Sequence, residues 1–131
     1  MNASTRFLLV DNFSATRRIV RKLLREIGYD KVDEAEDGAV ALSKLKCADF
    51  DVVVSELNLP YMSGLELVRH IRADARLKGL PVLLVTGDAG REDIEGAARA
   101  GASDWIVKPF SRAALARKLA GIALPRAEAA L

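Results

Sequence analysis

Cysteine is nearly missing from this chain: Cys47 is the only one in 131 residues, so no internal disulfide can form and a reducing compartment suits the protein. Cys47 reads as a small apolar residue late in a helix, since no ligand or base stands near it in sequence. Histidine is equally scarce, and His70, with no cysteine or second histidine beside it, reads as a solvated helix residue and not a zinc ligand. No charge of one sign dominates: 20 basic against 18 acidic residues leave a net charge of +2, too near balance to indicate nucleic acid. Long apolar runs are absent, and the run that follows the polar Met1 to Arg6 is too short for a signal peptide or a membrane span. A cytoplasmic protein without membrane contact is therefore expected. There is also no repeat, low-complexity tract or linker, which leaves one domain over residues 1–131, within the ~100–150 residues typical of a single core.

What the chain does contain is alternation. Short apolar runs change places with amphipathic segments five times, the pattern of a parallel sheet covered by helices on both faces. Strands are expected at Phe7 to Val10, Lys31 to Glu36, Val52 to Ser55, Pro81 to Thr86 and Trp105 to Val107. Ile19, Val20, Leu23, Leu24 and Ile27 recur at helical spacing before Gly28, and Leu65, Leu67, Val68 and Ile71 follow the turn at Ser63-Gly64. Ala97, Ala98 and Ala100 belong to a fourth helix that ends at Gly101. Leu115, Leu119 and Ile122 face a fifth inward, with Pro125 closing it and residues 125–131 left as a frayed tail, unless its alanines extend the helix by a turn. The stripe Arg17, Arg18, Arg21, Lys22 and Arg25 lies opposite the apolar face of the first helix and reads as a solvated surface, because no interleaved aromatics support contact with bases. Ser14-Ala15-Thr16 lacks the glycines of a phosphate-cradling turn, so a bound nucleotide or flavin is not expected.

Four separated blocks carry a family resemblance: Phe7-Leu8-Leu9-Val10-Asp11-Asn12, Ser55-Glu56-Leu57-Asn58-Leu59-Pro60 running on to Gly64, Val82-Leu83-Leu84-Val85-Thr86, and Val107-Lys108-Pro109-Phe110. With Ala35-Glu36-Asp37-Gly38 and Ala100-Gly101-Ala102-Ser103, the chain resembles the response-regulator receiver domains, those of the stand-alone chemotaxis type in particular. The resemblance spans roughly residues 6 to 124. Together with right-handed crossovers it implies a flavodoxin-like (βα)5 doubly wound parallel sheet of strand order 2-1-3-4-5. In such sheets sites form at the carboxyl ends of the strands, where Asp11, Asn12, Glu56, Thr86 and Lys108 would converge.

In that family an acceptor aspartate and two acids after the first strand hold Mg²⁺, while a Ser/Thr and a Lys bind the phosphoryl oxygens. Asp11, Thr86 and Lys108 match, Asn58 would offer its carbonyl to the metal, but Asn12 replaces one acid and Glu56 replaces the acceptor. An amide in place of a carboxylate weakens a Mg²⁺ site without abolishing it. The extra methylene of Glu56 moves its carboxylate by roughly 1.5 Å, and a misplacement of about 1 Å can cost ~10²-fold in rate. Conventional aspartyl phosphorylation is thus expected to be lost, and no enzymatic activity is expected. The alternative is a slow Mg²⁺-dependent phosphoacceptor that takes its phosphoryl group from a histidine kinase onto Glu56 or Asp11. For Glu56 itself two roles stay open: partial imitation of a phosphoryl group, with one charge in place of about −1.5 to −2, or a plain ion pair with Lys108.

The family relays its state from the hydroxyl after the fourth strand to an aromatic on the fifth, here Thr86 and Trp105. Trp105 either fits the inward pocket poorly or fills it permanently. The resemblance further implies a partner face of Ala89, Arg91, Ile94, Ala98, Trp105, Val107 and Lys118, which would hold an amphipathic helix with acidic edges from the flagellar switch or a histidine kinase component. A monomer that binds no nucleic acid completes the expectation.

Overall fold

The computed structural model describes residues 1–87 and 90–129, with residues 91–93 and 123–129 described in their backbone alone. The chain alternates as β1 (Phe7–Val10), α1 (Ser14–Ile27), β2 (Val32–Ala35), α2 (Gly38–Cys47), β3 (Val52–Glu56), α3 (Gly64–Ala73), β4 (Val82–Thr86), α4 (Arg91–Ala100), β5 (Asp104–Val107) and α5 (Arg112–Ala129). All strand pairs are parallel, in the order β2-β1-β3-β4-β5. This is the flavodoxin-like arrangement that the resemblance and right-handed crossovers imply.

The apolar runs of β1, β3 and β4 make strands buried on both faces. Leu8, Val10, Val53, Val82 and Leu84 point to one layer, where α2 to α4 add Ala41, Leu45, Leu67, Val68, Ile71 and Ala97. Phe7, Leu9, Val52, Val54, Leu83 and Val85 point to the other, against Val20 and Leu24 of α1 and Leu115, Leu119 and Ile122 of α5. Polar residues mark the helix ends: the Asp37 carboxylate accepts from the Val40 N–H at 2.8 Å, and Ser63 Oγ accepts from the Glu66 N–H at 3.2 Å. Gly28 stops α1 at φ 121°, its N–H donating to the carbonyls of Leu24 and Arg25.

Two expectations are corrected. Ile19 is 62% exposed: at about 100° per residue it falls away from the stripe centred on Val20 and Leu24. And α5 passes Pro125 to reach Ala129, since a proline removes one helical hydrogen bond while the alanines, arginine and glutamate around it favour the helix.

Candidate functional site at the carboxyl edge of the sheet

Asp11 directly follows β1, Glu56 ends β3, Thr86 ends β4 and Lys108 directly follows β5. Registry fixes them side by side: Glu56 lies opposite Val85, Thr86 lies opposite Val107, and the Lys108 N–H donates to the Thr86 carbonyl at 2.8 Å. The four positions named from the sequence thus share one edge. Asn12 and Asn58 sit beside them on exposed loops.

The decisive contact is ionic. Lys108 Nζ lies 2.8 Å from Glu56 Oε2, with the Glu56 side chain 9% exposed and that of Lys108 32%. The same oxygen makes no hydrogen bond among the described residues, so the two groups are close without being aligned as donor and acceptor. They form an ion pair all the same, because Coulomb attraction follows separation and not donor angle. The other oxygen, Oε1, lies 3.5 Å from the Asn58 N–H. Behind the acid the backbone is tightly packed. A Cβ on Gly64 would stand 2.5 Å from the Glu56 carbonyl oxygen, and the Gly64 N–H donates to the Leu57 carbonyl at 2.7 Å. Only glycine permits that approach.

Asp11 is 7% exposed, and its Oδ1 accepts from the Phe13 N–H at 2.9 Å. Sequence reasoning missed the group that steadies it from behind: Arg17, whose Nη1 donates to the Asp11 carbonyl at 2.5 Å while its Nε donates to Glu34 at 2.6 Å. Arg21 adds a second contact to Glu34 at 2.7 Å. Burial alone would raise the Glu34 carboxyl, yet the hydrogen bonds and charges of the two arginines outweigh it and hold the group below its ordinary value. Two of the five residues of the stripe read as solvated are therefore structural. The signal available in the sequence was the spacing of Arg17 and Arg21, one helical turn apart on the side of α1 that meets an edge strand bearing an acid.

For a divalent cation the relevant donors are Asp11, the Asn12 amide oxygen, Glu56 and the Asn58 carbonyl. Among the described residues no three carboxylates, imidazoles or thiolates gather as a cation cage. With Glu56 on Lys108, the fit rests on Asp11 and neutral oxygens.

Comparison with known proteins accords with this geometry. The family model of the response regulator receiver domain matches residues 7–120. The chain belongs to the response-regulator receiver family. It is 50% identical over 119 residues to the chemotaxis protein CheY-3 of Vibrio cholerae, covering 91% of this chain and 92% of that protein. Among solved structures it is similar to CheY4 of Vibrio cholerae, with 35% identity, a TM-score of 0.82 and coverage of 90% of this chain and 98% of the other. It is likewise similar to the receiver domain of a sensor histidine kinase from Pseudomonas aeruginosa, solved with a magnesium ion coordinated in its active-site cleft, at 30% identity, a TM-score of 0.82 and coverage of 92% and 98%. The two residues named from the sequence as a relay pair also lie together: Thr86 is buried, Trp105 is half-buried, and with Leu57, Leu84, Ile94 and Ala97 they line a cavity of about 10 Å³, at the lower limit for one water.

Of the partner face named from the sequence, Ile94, Val107 and Lys118 are half-buried and Ala98 is exposed. Ala89 lies outside the described residues, as does the side chain of Arg91. No helix among the described residues is long and apolar enough to cross a membrane.

Proposed function

We propose that this receiver is a protein-binding switch module of bacterial chemotaxis or two-component signalling, cytoplasmic, monomeric and without enzymatic activity, from which conventional aspartyl phosphorylation has been lost. The observation that carries this reading is the Lys108 ammonium 2.8 Å from a nearly buried Glu56 carboxylate. Phosphoryl transfer depends on positioning and on charge neutralisation. Here the acceptor position is longer by a methylene, and the lysine that would meet an incoming phosphoryl oxygen already holds an anion. Mg²⁺ binding is weakened for the reasons that the donor set gives: one carboxylate not held by a lysine, Asp11, and neutral oxygens from Asn12 and Asn58. When bound, the ion would supply charge neutralisation, and Asp11, fixed by Phe13 and Arg17, would be its main anchor.

The partner is a protein segment, an amphipathic helix with acidic edges from a flagellar switch or kinase component, laid against Ile94, Ala98, Trp105, Val107 and Lys118. The binding state of the receiver is set by the partner and not by phosphate. The test is mass spectrometry after incubation with Mg²⁺ and either acetyl phosphate or a phosphorylated histidine kinase. The expected result is unmodified protein. A species heavier by about 80 Da on most molecules would reject the reading and favour slow transfer to Glu56 or Asp11.

A further inference from the structure

A second carboxylate and lysine meet on the face that holds Trp105. Asp104 is the first residue of β5, and its Oδ1 accepts from the Trp105 N–H at 2.8 Å and lies 3.1 Å from Lys118 Nζ of α5. The same ammonium stands 5.1 Å from the centroid of the Trp105 ring, within the range where a cation is drawn to an indole face. The contacts close a circuit. The carboxylate holds the ammonium, the ammonium caps the ring, and the peptide N–H at the base of that ring holds the carboxylate. Neither charged group is sealed from water, the side chains of Lys118 and Asp104 being 34% and 32% exposed. On the inner side of Trp105, towards Thr86, the cavity of about 10 Å³ leaves little room for movement.

We propose that Asp104 and Lys118 form a clamp that sets the position of Trp105, and with it the shape of the partner face, independently of the acid at Glu56. The proposal rests on reading this face as the output surface. It gives Lys118 an occupant inside the molecule, so an acidic side chain on a docking helix competes with Asp104 for one ammonium, and the clamp opens as the partner seats. Trp105 would then be freed by the partner's own charge.

Trp105 is the only tryptophan, so its fluorescence and its quenching by acrylamide report on this ring alone. The measurement compares the unaltered protein with Asp104→Asn, Lys118→Met and Glu56→Gln. Asp104→Asn keeps an oxygen for the Trp105 N–H and gives up the charge. The uncovered population of Trp105 should rise by ~2–5-fold in Asp104→Asn and in Lys118→Met, no further in the double variant, and not at all in Glu56→Gln. Unchanged quenching in both clamp variants, with native circular dichroism and melting, overturns the proposal. So does a change in Glu56→Gln as large as that in Asp104→Asn. A salt titration of the unaltered protein tests the clamp without any substitution: at about 1 M salt, where charges are screened beyond ~3 Å, quenching should increase, and no increase would also overturn it. None of these readouts involves phosphoryl transfer, so a phosphorylated species would sink the functional reading and leave the clamp standing, and unchanged quenching would do the reverse.

Discussion

Two lysines near the end of the chain hold two carboxylates, and they hold them differently. Lys108 meets Glu56 at 2.8 Å where the acid is 9% exposed, whereas Lys118 meets Asp104 at 3.1 Å where the acid is 32% exposed. A charge kept from water cannot lose its partner cheaply, while a half-solvated one exchanges its partner for water at little cost. The first pair thus behaves as part of the framework, and the second as something that a competitor can open. The acid where a phosphorylated receiver would change state is the more fixed of the two, and the adjustable contact lies on the face proposed to meet a partner.

The largest break in this comparison comes from removing one partner at a time. Lys108→Met strands the Glu56 carboxylate and should cost ~3–5 kcal/mol in urea unfolding, whereas Lys118→Met should cost ~0–1 kcal/mol; equal losses would mean that burial does not separate the pairs. Next is Gly64→Ala, whose methyl group would press on the Glu56 carbonyl from 2.5 Å. Backbone cannot swing aside as a side-chain tip can, so a loss of ~1–3 kcal/mol is expected, with Trp105 emission unmoved because only the first pair is disturbed.

A third acid sharpens the comparison: Glu34, between Arg17 and Arg21, whose carboxyl is held below its ordinary value of 4.5. The folded state therefore gains stability from Glu34 above that value and loses it as pH falls through the lower folded pKa. Glu34→Gln should destabilise the protein at neutral pH, by ~1–2 kcal/mol for two charge-assisted contacts partly open to solvent, and the deficit should shrink in melting curves taken below pH 4.5. A deficit that stays constant with pH would assign the effect to packing.

The sequence carried β1, β3 and β4 because each is buried on both faces, which writes a continuous apolar run, with Glu56 to be added to β3; the edge strands β2 and β5 are half-exposed and carry acids within them. Asp11, Glu56, Thr86 and Lys108 were legible for the same reason, as polar residues at the ends of such runs. Ion pairs were not legible beyond Glu56 and Lys108. Arg17 with Glu34 and Lys118 with Asp104 join segments whose approach depends on the angle at which α1 and α5 cross the sheet, and local spacing does not encode that angle. Ile19 failed for a narrower reason: helical spacing identifies a stripe but not its edges, and the edge was placed one residue too wide.

The close seating of Gly64 against the Glu56 peptide has a consequence for how this site could change over time. With its main chain wedged between α3 and the neighbouring strands, position 56 cannot slide to compensate for a side chain of another length. A change of Glu56 to aspartate would open a gap of roughly 1.5 Å before Lys108, leaving the lysine to find a different anion. The frame acts as a fixed gauge, and a single methylene decides whether the lysine's anion belongs to the protein or must come from outside it.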